Sequence, residues 1–242
     1  QLNAYQMPGI SHFNDGIRDG LKGSVFNDLD TGWATGKSSA LTAVQEGIVG
    51  QIRYSESLGG QWGEIEPGQS VSYVEAHDNL TLHDKLQVSV PTASDQERSR
   101  LHRFASSVAI LAQGLTFIHA GQEFERSKDG DHNSYKSPDS VNALRWLERA
   151  NNKTTVDYFK GLIELRKAHP AFRMDTAAKV RNNLEFISEG ELIAYTLNGA
   201  TVGDSWKQIL VIHNSGGDQS LKLPAGSWKV AVQGDRASAQ SL

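Results

Sequence analysis

Tyr73-Val74-Glu75-Ala76-His77-Asp78-Asn79 is a short β-prone run that stops abruptly in three polar residues. Two other segments repeat the design. Gly9-Ile10-Ser11-His12-Phe13-Asn14-Asp15 is a brief apolar element running into polar residues, and apolar Leu115 to Ala120 closes on Gly121-Gln122-Glu123. Helical periodicity lies between and after them. Leu41, Val44 and Ile48 recur at helical spacing within Ser39 to Ile52. Ser94 and Glu97 form a capping-box pattern ahead of Leu101, Phe104, Val108 and Leu111, with Gly114 as the stop. Thr154 to Ala168 is a further amphipathic helix ended by Pro170. Short apolar strands alternating with helices read as parallel βα units, whose chemistry sits on the loops after the strands. That rule places Asn14, Asp78 and Glu123 on one face.

From about Ala171 the pattern changes. Leu184–Ile187, Leu192–Thr196, Gln208–His213, Leu221–Leu223 and Trp228–Val232 are strand-like runs separated by turn signals such as Asn198-Gly199 and Gly216-Gly217. An antiparallel β domain is expected there, with the boundary between Pro170 and Val180. Three parallel strands are fewer than half of an eight-stranded barrel and would leave open edges if alone. The units therefore belong either to a small open sheet or to a larger protein.

The 242 residues are 38% hydrophobic and 21% charged, the balance of a globular protein. A net charge of −4 and no run of Lys and Arg argue against a nucleic-acid partner. No apolar run approaches the roughly 20 residues that cross a bilayer, so no membrane partner is expected. Zero cysteines exclude disulfides and thiolate metal sites and fit a cytosolic protein or a bacterial secreted one. An N-terminus at Gln1 suggests a processed or truncated product.

Asp78 is either turn chemistry or a functional acid, and His77 beside it adds a hydrogen-bonding group aimed the same way. Three polar residues at a strand end suit sugar hydroxyls, and glycoside hydrolysis uses a pair of carboxyl groups. Glu123 reads as the second carboxylate or as a structural acid paired with Arg126, and the structural reading is favoured. Glu75 is expected to bond inside the fold. Asp15, Arg18 and Asp19 form a loop network or a substrate rim. Asp129-Gly130-Asp131-His132-Asn133-Ser134-Tyr135 alternates oxygens like a calcium loop but lacks its final Glu; structural calcium is allowed but not indicated, and no metal ligand set or cofactor is expected. Trp33, Trp62 and Trp146 have the chemistry to stack on sugars, with core packing the expectation for each.

Taken together, these blocks resemble the α-amylase superfamily of glycoside hydrolases, and within it the bacterial type I pullulanases. The resemblance is carried by Val74-Glu75-Ala76-His77-Asp78-Asn79 with Leu80 to Leu86 behind it, by Phe13 to Gly23, by Phe117 to Phe124, and by Gly130 to Tyr135. It implies an α/β fold: residues 1–172 as the C-terminal part of a (β/α)8 barrel, about strands six to eight, and 173–242 as an all-β antiparallel sandwich. It also implies a retaining, starch-debranching hydrolase acting on α-1,6-glucosidic bonds of pullulan, amylopectin and limit dextrins. Asp78 would be the third, transition-state-stabilising carboxylate, His77 would bond the same sugar, and Asn79, Asn133 and Tyr135 would bind substrate. The segments carrying the nucleophile and the acid/base do not occur here. The implied partners are an α-glucan and the N-terminal portion of the same enzyme, with an extracellular location expected and a cytoplasmic one as the alternative. A non-catalytic α-glucan-binding fragment, an isoamylase-type enzyme and a small glycosidase using Asp78 with Glu123 are the rival readings.

Overall fold

The computed structural model describes residues 1–187 and 190–242. Strand β1 (His12–Phe13), helices α1 (Asp15–Lys22) and α2 (Leu41–Ile48), strand β2 (Ser70–Ser72), helices α3 (Leu82–Ser89) and α4 (Asp95–Leu111), and strand β3 (Leu115–Thr116) make up the first half. The three strands pair in parallel in chain order, His12 opposite Ser70 and Val71 opposite Leu115. Two one-turn helices, α5 (Asp139–Asn142) and α6 (Glu148–Asn151), precede the long α7 (Lys153–Ala168). Then come α8 (Ala177–Asn183), an antiparallel sheet of β4 (Leu184–Phe186), β5 (Ile193–Leu197) and β6 (Ile209–His213), and a hairpin of β7 (Val232–Gln233) with β8 (Arg236–Ala237).

Asp15, Arg18 and Asp19, read as a loop network or a substrate rim, lie instead on helix α1, with Asn14 as its cap. The Asn14 side chain accepts the Ile17 N–H at 3.2 Å and donates to Gln51 and Ser70, so it is a buried helix cap and not a surface group. Arg18 pairs with Asp15 and Asp19 and reaches the Tyr73 hydroxyl at 2.7 Å. In α4, Ser94 caps the Glu97 N–H at 3.2 Å, but the Glu97 carboxylate turns to Arg100 and leaves the box half closed. Its other end has no cap of its own. Buried Arg166 of α7 donates to the carbonyls of Ile110, Ala112 and Gly114, satisfying acceptors that a helix end leaves open. Burial lowers this guanidinium to about 10.

The β region is smaller than expected. Leu221–Leu223 forms no strand, and of Trp228–Val232 only Val232 lies in one. Every residue of β5 is buried, because it is the central strand and is covered on both faces. One apolar core runs from Ile17 and Trp33 through α4 and α7 to Tyr195 and Val211. Polar ties cross the same seam: Trp33 Nε1 donates to the Glu191 carbonyl, and His169 bonds Asp204 at 2.7 Å and the Ala239 carbonyl at 3.2 Å.

Glu125, held at φ +60°, is the hub joining α3, α4 and α7. Ser99 and Thr155 donate to it at 2.7 and 2.6 Å, and His83 lies 3.9 Å away. Burial alone would raise its carboxyl. The His83 contact, the nearby His102 ring and the two hydroxyls overcome that and hold it at about 2, against an ordinary 4.5.

A carboxylate depressed by folding stabilises the native state above its unfolded pKa and loses that contribution as pH falls through its folded one. Stability should therefore decline between about pH 4.5 and 2, by at most ~3 kcal/mol from this group. In Glu125→Gln that part of the pH–stability curve should be flatter; wild-type steepness there would assign the acid sensitivity elsewhere. At the seam, a Cβ on Gly161 would sit 2.1 Å from the Ala237 carbonyl oxygen, a backbone atom that cannot yield cheaply. Gly161→Ala should lower stability by about 1–3 kcal/mol, seen as a lower urea midpoint at unchanged slope. An unchanged midpoint would mean that the α7–β8 contact is not tight.

Candidate active site

The corner after β2 is shaped by the residues on either side of it. Glu75 is 1% exposed, and its two carboxylate oxygens are both engaged: one accepts the Leu82 N–H at 2.6 Å, the other meets His119 Nδ1 at 2.8 Å. A single side chain thus ties the end of β2 to the first turn of α3 and to the loop after β3. Burial works to raise this carboxyl, but the His119 hydrogen bond and charge, with the Leu82 N–H, hold it below its ordinary range. Thr81 caps the Asp84 N–H at 3.1 Å, so α3 starts at a fixed point. With Glu75 and Thr81 pinned, residues 77–79 bulge outward before Leu80 turns back inside, and Asn79 takes φ +61° to make the turn.

Two internal lysines bring other loops to this bulge. Lys128 is 1% exposed; its ammonium donates to the His77 carbonyl at 2.6 Å, and its own N–H is held by Asp84 at 2.8 Å. Ser127 donates to the other Asp84 oxygen at 2.6 Å. Lys85 donates to the carbonyls of Ser24, Asn27 and Asp28 at 3.0, 2.6 and 3.0 Å, gathering that loop around one charge. The loops then meet each other: Asn79 N–H donates to the His132 carbonyl at 2.8 Å, and His132 Nε2 lies 3.0 Å from Asp28. Lys22, pushed down to about 8 by burial against the opposing pull of Glu75, supports the floor through the Leu80 carbonyl.

His77 and Asp78 emerge from this frame with side chains 81% and 71% exposed, their polar atoms 3.4 Å apart. The Asp78 carboxylate can accept hydrogen bonds from hydroxyl groups, and the His77 imidazole N–H can donate to a neighbouring oxygen. Asn79 sits half-buried next to them, and its bond to His132 brings in the turn that carries Asn133 and Tyr135. Asn133 is exposed, with its N–H on Asp131; the Tyr135 ring is 70% exposed beside the Lys136 ammonium. Asp131 also receives Ser137, and Asp129 pairs with Arg145 at 2.9 Å, so the oxygens of this loop serve internal bonds. Among the described residues no group of three His, Cys, Asp or Glu side chains gathers to hold a metal.

Several sequence expectations separate here. Glu123 is half-buried and folds back on the Gly121 N–H at 3.0 Å, while Arg126 turns to the Ala120 and Asn142 carbonyls and not to Glu123. Trp33 and Trp62 are core, but Trp146 is 63% exposed. Asp84 and Lys85 fall inside the family-like block Leu80 to Leu86 and Lys128 outside any block, but no role is assigned to the three from sequence, because buried charges with main-chain partners leave no periodic trace. Within that block, Thr81 followed at the third position by Asp84 is a helix-start pattern.

Comparison with known proteins agrees in sequence and in fold. A family profile described as "Pullulanase, all-beta domain" matches residues 180–236. Pullulanase from Bacillus subtilis (strain 168) is 44% identical over 229 residues, covering 92% of this chain and 31% of that protein. A crystal structure of a pullulanase variant from Paenibacillus barengoltzii, complexed with maltotetraose, superposes with TM-score 0.89 at 45% identity over 93% of this chain and 35% of that one. Pullulanase from Bacillus acidopullulyticus gives TM-score 0.89 at 38% identity, over 97% of this chain and 28% of that one. The chain spans about a third of the length of these relatives. With 44% identity to one pullulanase over 92% of the chain and a TM-score of 0.89 to another, the chain belongs to the pullulanase family.

Proposed function

We propose that this chain is the C-terminal part of a starch-debranching glycoside hydrolase: residues 1–172 carry about strands six to eight of a (β/α)8 barrel, and 173–242 a β-sandwich. The parallel order β1-β2-β3 and the unpaired outer edges of β1 and β3 among the described residues support the barrel reading. The substrate is an α-glucan with α-1,6 branch points, such as pullulan, amylopectin or a limit dextrin. The observation that carries the assignment is the exposed His77–Asp78 pair at the carboxyl end of the central strand, joined through Asn79 and His132 to the turn bearing Asn133 and Tyr135.

In this reading Asp78 accepts hydrogen bonds from two adjacent hydroxyls of the sugar at the cleavage point. Those bonds strengthen as positive charge develops at the anomeric carbon, so Asp78 acts on the transition state more than on the bound ground state. His77 donates to the same ring, and Asn79, Asn133 and Tyr135 fix its neighbours. The nucleophile and the acid/base of a retaining mechanism belong to sequence outside these 242 residues, consistent with the third of their length over which the relatives match. No cofactor is used, and the protein acts outside the cell.

Joined to the portion that supplies those two groups, the enzyme should release reducing ends from pullulan. Asp78→Asn should lower kcat at least ~10³-fold, equivalent to about 4 kcal/mol of lost transition-state stabilisation, with a smaller change in KM. Turnover within about tenfold of wild type would remove Asp78 from the mechanism. The 242-residue chain by itself should bind maltodextrin without cleaving it; hydrolysis by the chain alone would place the missing carboxylates within it.

A further inference from the structure

A groove lined by described residues lies away from the His77–Asp78 corner. It is an open groove of about 540 Å³, within the range of small-molecule sites. It occupies the end of the β4-β5-β6 sheet where Leu184, Leu197 and Ile209 stand in register, so the end of α8, the end of β5 and the start of β6 converge there. We infer that this groove is a second α-glucan site, lined by Asn182, Glu185, Asn198, Lys207 and Gln208 and backed by the Tyr54 ring.

Three features carry the inference. The groove is rigid where it must be. Tyr54 donates to the Leu184 carbonyl at 2.8 Å and packs edge-on to Phe186, the Asn198 N–H bonds the Asn183 carbonyl at 2.8 Å, and Arg181 is anchored on the Arg53 carbonyl at 2.9 Å. The polar rim is unspent. The side chains of Asn182, Glu185, Asn198, Lys207 and Gln208 are exposed and make no hydrogen bond or ion pair within the described protein, so their donors and acceptors face the groove and solvent.

The chemistry of that rim is also selective. Three carboxamides offer donors and acceptors in fixed pairs, which is what vicinal hydroxyls require, and an aromatic ring behind them supplies an apolar surface for a sugar's C–H face. Glu185 among the cations disfavours phosphate and other anions. The amides are indifferent to charge, and the site would therefore take a neutral oligosaccharide. The choice of an α-glucan rests on the proposed function, since a debranching enzyme meets long α-glucan chains that could be held on the β region while a branch point is cut.

The test is a site-resolved footprint by hydrogen exchange on the 242-residue chain with maltohexaose, cellohexaose and inorganic phosphate as probes. Maltohexaose should protect 181–185, 196–198 and 207–208. The double variant Asn198→Ala/Gln208→Ala should weaken that protection about tenfold or more in midpoint concentration, and each single variant severalfold. Asp78→Ala should leave it unchanged. Protection confined to 77–79 and 131–135 would overturn the groove while leaving the proposed function standing. Protection at the groove by cellohexaose equal to that by maltohexaose, or by phosphate instead of sugar, would overturn its assignment to α-glucan. Groove protection unmoved in the variants would show that these amides are not the ligands.

Discussion

The buried carboxylate of Glu75 is the constraint on which the rest of the site depends. A carboxylate taken out of water is tolerated only when charge and hydrogen bonds replace its hydration, and here the replacements come from two other segments. One oxygen belongs to the start of α3, the other to His119 after β3. Strand, helix and loop are thus fixed relative to one another by one side chain. The turn between Glu75 and Thr81 inherits its shape from these endpoints, which is why Asn79 accepts a left-handed backbone and why His77 and Asp78 project into solvent.

The loops around the corner are held by charge in place of apolar packing. Lys85 and Lys128 bury ammonium groups against main-chain carbonyls, the kind of contact that fixes a backbone path without fixing side-chain identity. The side chains on those loops stay free for a ligand. The same division holds farther away, where Arg166 closes the end of α4 and Glu125 joins three helices. Buried ionic groups set the geometry, while the continuous apolar core supplies most of the stability.

The sequence was readable where a local signal and the tertiary structure agree. Ser94 with Glu97 marked the start of α4, Pro170 the end of α7, and the polar stops after short apolar runs marked the corner at 77–79. It was unreadable where they conflict. Helix α1 holds Gly16 and Gly20 and begins with Asn-Asp-Gly, a turn-like composition; a Cβ at Gly20 would press on the Ala43 and Val44 side chains at 3.2 Å, a tight contact. Helix α3 buries Asp84 and Lys85 through specific partners, so hydropathy gave it no apolar face. Leu221–Leu223 has strand-like residues but no neighbouring strand to pair with. At the site, Asp78 and His77 were legible as a polar strand end and as a family segment, whereas the lysines that support them were legible only in three dimensions.

If Glu75 positions the corner, amide hydrogen exchange in Glu75→Gln will show it. Gln keeps the size of the side chain and removes the charge that His119 and the Leu82 N–H meet. Exchange should then be faster at Leu82, at Asn79 and through the 76–80 turn, with the amides of α4 and α7 unchanged. Wild-type protection at Leu82 and Asn79 in that variant would contradict it.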